Sequence, residues 1–334
     1  MANSKKKVVI TGATGFVGGT LAQTLVGEDV DLHGLTRPTS DLQRVKHLPI
    51  TWHVGDITNS KSLQGVFDGA DWVIHAAGLL GQAGVPNSTY RRNNTDGINN
   101  VLAEIAASGS RPRVLFISSA GVLGPFSGSS SDPAPDEDST PAPSNPYEQS
   151  KAAAELVVRS YINTGLPVII ARPEFIYGPG DLHVLGLFSS IKRRQFFYIG
   201  NGYNTCHPTY IDDAVNGLVR ALEYGTPGEI YHITGPRPIT FRELAETIAA
   251  ELDVAPPRLA LTKSLVWLGA AGMESIATWL GRSVPLSRTG VAFFSEDRRF
   301  TFAKAAKELG YAPTMDIQEG VARTVAWYRE NGLL

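Results

Sequence analysis

Thr11-Gly12-Ala13-Thr14-Gly15-Phe16-Val17-Gly18 stands near the head of the chain, directly after the largely β-branched run Lys7–Thr11. A strand that runs into three glycines spaced three apart, and then into a helical pattern through about Val26, is a strand–turn–helix unit. The first glycine permits a tight turn, the second lets backbone approach a pyrophosphate, and the third lets helix and strand pack closely. Free N–H groups and the dipole at the helix start favour an anion there. The stretch therefore implies an α/β fold opening on a dinucleotide crevice.

The pattern downstream agrees. Short apolar runs at Val30–Thr36, Thr51–Val54, Asp71–His75, Val114–Ser118 and Val168–Ala171 alternate with helical stretches, one of them covering about Thr95–Ala107. That alternation predicts a doubly wound parallel sheet, a Rossmann-type arrangement. Ser127–Ser144 is rich in Ser, Pro and acids and is predicted to be an exposed loop. Asn145, Pro146 and Glu148 then supply a capping amide, a first-turn proline and a glutamate three residues after the cap, so a helix starts there. From Glu174 onward proline and glycine become frequent, with helical stretches near Ile211–Glu223, Phe241–Leu252, Ala303–Leu309 and Ile317–Arg329. The expected division is a nucleotide domain over 1–173, with returns near 211–234, and a smaller, mostly helical substrate lobe over 174–334, the two interleaved.

The end of the second strand should read the adenosine ribose. An acid there selects NAD, whereas this chain has Leu35-Thr36-Arg37, and Arg37 could clasp a 2′-phosphate. NADP is the expected cofactor, with NAD possible; a solvated loop arginine is the other reading of Arg37. Gly55-Asp56-Ile57 ends the third strand, where Asp56 could meet the adenine amine or cap the following turn. Ala76-Ala77-Gly78 follows the fourth strand with side chains small enough for a cofactor to pass close to the backbone.

Tyr147 and Lys151 stand four apart on the predicted helix and share a face. A free phenol has a pKa of about 10, so it needs nearby positive charge to work as a base near neutrality. Lys151 could supply that charge and hold the nicotinamide ribose. Ser119, after the fifth strand, could hydrogen-bond the reacting oxygen or cap the turn that follows it. These residues together point to hydride transfer at a carbinol or ketone.

On these motifs the chain resembles the extended short-chain dehydrogenases/reductases, a superfamily of nucleotide-sugar epimerases, dehydratases and 3β-hydroxysteroid dehydrogenases. The resemblance spans nearly the whole length and adds His75-Ala76-Ala77, Asn94–Asn100, Arg172-Pro173, Tyr177-Gly178-Pro179-Gly180 and Asp212-Asp213. It implies a catalytic set of Ser119, Tyr147 and Lys151, with Asn94 as a structural asparagine. The cofactor residues it implies are Gly12, Thr14, Gly15, Phe16, Val17, Arg37, Asp56, Ile57, Ala76, Ala77, Gly78, Lys151 and Pro173. It also implies a homodimer, often formed through a four-helix bundle.

Within that superfamily, nucleotide-sugar enzymes usually place an asparagine on the diphosphate shortly after the sixth-strand arginine; here Phe175 stands at that position. Where they tend to carry an Arg-Asp pair before the final Asp, this chain has Cys206-His207-Pro208. Arg193, Arg194 or Arg288 could compensate for the lost cation. Cys206 and His207 lack a second pair at ligand spacing, so no metal site is expected and a place on the cleft wall is. The segment 258–282 is mostly apolar but too interrupted for the ~20 residues a spanning helix needs. It is expected to cap the substrate cleft, with a membrane-surface contact as the alternative. An apolar lid suits a largely apolar secondary alcohol or ketone. A nucleotide-sugar 4-epimerase or dehydratase, and a non-catalytic NADP-binding sensor, are the other readings.

The 334 residues are 43 % apolar, enough for a sizeable core, and the formal charge of −2 gives no electrostatic case for nucleic acid. A single cysteine excludes an internal disulfide and fits a reducing compartment, and no signal-peptide pattern follows Met1–Lys7, so a cytoplasmic protein is expected.

Overall fold

In a computed structural model of the chain, which describes residues 5–26, 29–82, 84–129, 131–280 and 288–334, the alternating runs form one parallel sheet. The strands are β1 (Lys6–Thr11), β2 (Val30–Thr36), β3 (Thr51–Val54), β4 (Trp72–His75), β5 (Arg113–Ile117) and β6 (Val168–Pro173), completed by Ile230–Ile233. From one edge the order is Ile230–Ile233, β6, β5, β4, β1, β2, β3. The chain winds outward from β1 to β3, then restarts at β4 on the other side of β1. A crevice opens at the carboxyl ends of β1 and β4, where the strand order reverses.

Period-two alternation sorts the strand residues between two cores. Val8, Ile10, Leu115 and Ile169 face one; Val9, Val73, Val114, Phe116 and Val168 face the other. The first core continues without a break into the helices Ile211–Tyr224, Phe241–Glu251 and Ile317–Glu330, through residues such as Leu218, Ile248 and Val325. The C-terminal lobe is thus built onto one face of the sheet.

Several predicted boundaries hold to within a residue or two. The helix Pro146–Asn163 starts as its sequence dictates, Asn145 Oδ1 accepting from Glu148 N at 3.0 Å. The helix ending at Ala107 begins earlier than expected, at Asn87, and passes through a π-helical turn at Arg91–Asp96. Three helices were not predicted from periodicity, among them Arg288–Ser295. Leu185–Lys192 is short, and Lys263–Leu280 is apolar on more than one face.

A buried ion pair fastens the helix Pro146–Asn163 to the sheet. Arg172 donates from Nε (2.9 Å) and Nη2 (2.7 Å) to the two carboxylate oxygens of Glu155, and Ser118 Oγ donates to Glu155 Oε1 at 2.6 Å. Removing one partner of such a pair costs about 3–5 kcal/mol, because the other charge is left buried and alone.

Candidate active site

The glycine turn closes against the loop after β4. Gly12 has φ +78°, and a Cβ there would stand 2.6 Å from Ala77 N; a Cβ on Gly18 would run into Gly12 O. Both glycines are therefore required by close backbone approach. Gly15 is the cap of the helix Phe16–Leu25 and offers no side-chain cap, so N–H groups at that helix start remain available to an anion. Thr14, Phe16 and Val17 flank it. Ala76 N donates to Thr11 O at 3.0 Å, and Thr11 Oγ1 meets the buried His75 Nδ1 at 2.9 Å. Burial, aided by the charge of Lys151, lowers His75 to about 3, so it stays neutral.

Gly78 lies over Lys151: a Cβ there would come within 3.6 Å of Nζ. Asn94, in the π-helical turn, holds this loop by accepting from Leu79 N (2.7 Å) and donating to Leu79 O (3.0 Å) and Ser150 Oγ (2.9 Å). The turn is a π-bulge of the kind that often marks functional segments. Lys151 donates to Ile117 O at 2.8 Å, and burial lowers its pKa to about 8 against the pull of Glu155. Tyr147 is partly buried, edge-on to Tyr90 at 6.4 Å, and flanked by Gly81. Burial holds its phenol above the ordinary value, and a hydrogen bond from Ser119 draws it back. Ser119 also caps the turn Ala120–Leu123, accepting from Gly121 N at 3.1 Å, so both of its anticipated roles are present.

The remaining candidates lie around this centre with different roles. Arg37 is exposed at the end of β2, and among the described residues nothing pairs with its guanidinium. Arg44, nearby, is committed elsewhere: it donates to Gly180 O and lies 5.6 Å over the Phe16 ring. Asp56 Oδ1 accepts from Thr58 N and Thr58 Oγ1, both at 2.8 Å, so capping takes one of its oxygens. Ile57 turns inward: it is buried in the second core against Gly97, and its carbonyl accepts from Asn100 at 2.8 Å. Pro173 ends β6 beside Ile233.

Cys206 and His207 are core residues rather than cleft wall. Cys206 sits in the first core, and the buried His207 is held between Gly235 O (Nε2, 3.0 Å) and Phe300 N (Nδ1, 3.3 Å). Burial lowers His207 to about 4. Among the described residues no three His, Cys, Asp or Glu side chains converge as metal ligands. The side chain of Arg288, and residues 281–287, lie outside the described residues.

Beyond β6 stands a group whose members motif reading did not bring together. Glu174 is 6 % exposed, Arg298 2 %. Arg298 Nη1 pairs with Glu148 Oε1 at 2.7 Å, and its Nη2 lies 3.7 Å from Glu296. Burial pushes Glu174 up to about 7; Arg298 opposes the rise and Glu148 adds to it. The charge of Glu174 also acts on Tyr147, raising the phenol. Next to it Phe175 holds a left-handed φ of +36° and packs edge-on to Phe293 at 5.4 Å. Phe293 and Phe294 continue to Phe241 and Phe196 as an aromatic wall. The signal for Glu174 was a carboxylate that shares the mostly apolar run Val168–Tyr177 with only one other charge, Arg172.

Residues 8–234 match the NAD-dependent epimerase/dehydratase family model. The chain belongs to that family. It is 27 % identical over 330 residues to a 4-hydroxy-2-methyl-3-oxo-4-farnesyl-3,4-dihydroquinoline-1-oxide ketoreductase from Stigmatella aurantiaca, covering 94 % of each chain. It is also 27 % identical over 339 residues to the sterol-4-alpha-carboxylate 3-dehydrogenase erg26 of Schizosaccharomyces pombe, covering 96 % of each. The dTDP-glucose 4,6-dehydratase DesIV of Streptomyces venezuelae, solved with NAD and TYD bound, superposes with a TM-score of 0.79 at 27 % identity over 97 % of both chains. Family member and extended short-chain dehydrogenase/reductase, the protein is an NAD(P)-dependent enzyme of Rossmann fold.

Proposed function

We propose that the protein transfers hydride between NADP(H) and a secondary alcohol or ketone on a largely apolar small molecule. Phe175 carries this reading. At the position where nucleotide-sugar relatives are expected to offer a diphosphate-binding amide, it presents a ring packed into the aromatic wall. A doubly charged diphosphate loses its hydrogen-bond partner there, whereas an apolar substrate gains contact area. Arg37 supports NADP over NAD, because the neutral Thr36 stands where an acid would select the 2′-hydroxyl and an exposed guanidinium lies beside it.

Bound at the glycine turn, the nicotinamide dinucleotide supplies or accepts the hydride. Gly12, Ala76, Ala77 and Gly78 leave room for it against backbone, and Asn94 holds the covering loop. Lys151, one turn along the same helix from Tyr147, would supply positive charge to the site and grip the nicotinamide ribose. Tyr147 gives its proton to the nascent alkoxide during reduction and takes it from the carbinol during oxidation. Ser119 orients the reacting oxygen. The ionised form of Glu174 disfavours phenolate, which keeps Tyr147 protonated.

The likeness to DesIV favours one second reading, a nucleotide-sugar 4-epimerase or dehydratase that returns its hydride. The two separate on stoichiometry. NADPH absorbance is followed while long-chain ketones, sterol ketones and UDP- or dTDP-sugars are offered in turn. Net NADPH oxidation by an apolar ketone is the expected result. Conversion of a nucleotide sugar with no net change in cofactor, and no turnover of any ketone, would replace the proposal with the second reading.

A further inference from the structure

The helix Lys263–Leu280 packs on the lobe through Val266 and Ala270, which join Ile199 and Val291 in a small core of their own. Its other faces should be polar if water were their neighbour. Instead Leu265 is 59 % exposed, Leu268 67 % and Trp267 47 %, and no charge occurs between Lys263 and Gly272. Leu259, 57 % exposed, extends the patch; its carbonyl accepts from Tyr198 N at 2.9 Å, so it is held in place by a strand pairing. It also lines a groove of about 400 Å³ together with Phe196, Pro256, Arg194 and Arg258. Both arginines are exposed, as are Lys192 and Arg193 just upstream and Lys263 at the start of the helix. Glu296 takes up part of the charge of Lys263, at 3.3 Å. In a chain of net charge −2, this apolar patch has a cationic rim.

We propose that the patch docks on an anionic lipid bilayer, with Lys263–Leu280 lying in the plane of the interface. Among the described residues no helix is long and apolar enough to cross a membrane, so the contact is peripheral. Leucine and tryptophan side chains suit the boundary between headgroups and acyl chains, and the cations meet lipid phosphates. A second copy of the chain fits less well, because two-fold pairing of this face would set the same cations against each other. The inference rests on the apolar-substrate reading above. A hydrophobic substrate dissolved in the bilayer would reach a docked enzyme without crossing water, and the ketoreductase and sterol dehydrogenase relatives are named for farnesylated and steroid molecules.

The test uses full-length, NADPH-loaded protein and no substrate. It is sedimented with vesicles of phosphatidylcholine alone or mixed with phosphatidylglycerol. Binding to the anionic vesicles is expected, with losses in the paired variant Leu265→Asn/Leu268→Asn and in the triple variant Arg193→Gln/Arg194→Gln/Arg258→Gln. The triple variant should bind about a hundredfold more weakly, since each cation near an anionic surface contributes roughly a factor of five. NADPH affinity and thermal stability should stay at wild-type values in the triple variant, which shows that it is folded. Failure to sediment with either vesicle overturns the proposal, as does binding that neither variant changes. Light scattering that shows a dimer lost in the Leu265/Leu268 variant, without vesicle binding, gives the face to a second copy instead. Ketone turnover is measured separately, so loss of vesicle binding alongside intact turnover would sink this proposal and spare the functional one.

Discussion

The two walls of the cleft are built on opposite plans. At the ends of β1, β4 and β5 the wall is backbone and small side chains: Gly12, Ala76, Ala77 and Gly78, with Ser119 and Lys151, the proposed catalytic residues, as exceptions. Beyond β6 it is large and charged: Glu174, Phe175, Phe293 and Arg298, with one strained φ and three carboxylates, Glu148, Glu174 and Glu296, around one guanidinium. On the proposed reading the first wall has almost no freedom to vary, because a dinucleotide and two chain segments would share the space. The second is where a particular substrate can be chosen without disturbing the first.

The largest effect expected on the first wall is at Tyr147. Tyr147→Phe removes the proton carrier and leaves the crevice untouched, so turnover should fall by about 10³-fold, within the usual range for a positioned acid–base group. NADPH affinity, read from nicotinamide fluorescence, should stay within about twofold, since uniform binding is not altered. Full activity in this variant would break the proposed division of labour between the walls.

Gly12→Ala attacks the same wall through its backbone. The added Cβ meets Ala77 N at 2.6 Å, and the left-handed φ is unfavourable for alanine, so neither loop can yield without moving the other. NADPH binding should weaken by roughly 10²-fold, with a fall in thermal stability of about 1–3 kcal/mol from strain. A variant that binds NADPH normally would show that the crevice lies elsewhere.

Arg37→Ala sharpens the comparison, because it tests whether the first wall chooses its dinucleotide by one side chain alone. A charge-assisted contact contributes about 1.5–3 kcal/mol, so NADPH affinity should drop about 10–100-fold while NADH affinity holds. Equal loss for both cofactors, measured by fluorescence titration, would remove Arg37 from the choice.

The first wall was largely legible in the sequence and the second was not. Strand alternation and the spacing of Gly12, Gly15 and Gly18 are local, so β1–β6 and the turn could be placed to within a residue or two. The capping of Pro146–Asn163 was local as well. Glu174, Glu148 and Arg298 come from three distant segments and meet only once the C-terminal lobe has folded onto the sheet, so no spacing rule joins them. The inward turn of Ile57, and the burial of Cys206 and His207, follow from the same long-range packing: their neighbours are Gly97, Gly235 and Phe300. Apolar periodicity also misjudged Lys263–Leu280, because a helix that is hydrophobic on more than one face shows little contrast between its buried and exposed positions.

The smallest expected effect is the most specific to the second wall. Burial raises Glu174 to about 7, whereas an unfolded glutamate titrates near 4.5. A carboxyl whose pKa is raised by folding binds its proton more tightly in the native state. It contributes nothing below the unfolded value and destabilises progressively as pH rises from about 4.5 to 7, after which the penalty is constant. Glu174→Gln keeps the shape and removes the ionisation. The stability difference between variant and wild type should therefore grow across that window in favour of the variant, by about 3 kcal/mol, and then level off. Tyr147 should respond too. With the like charge gone, the phenol should ionise at lower pH in the variant, seen as an ultraviolet difference spectrum with Tyr147→Phe as the blank. A glutamine variant whose stability runs parallel to wild type from pH 4.5 to 8 would mean that Glu174 is ionised throughout, compensated by Arg298. The second wall would then be a fixed salt-bridge cluster with no hold on the acidity of the first.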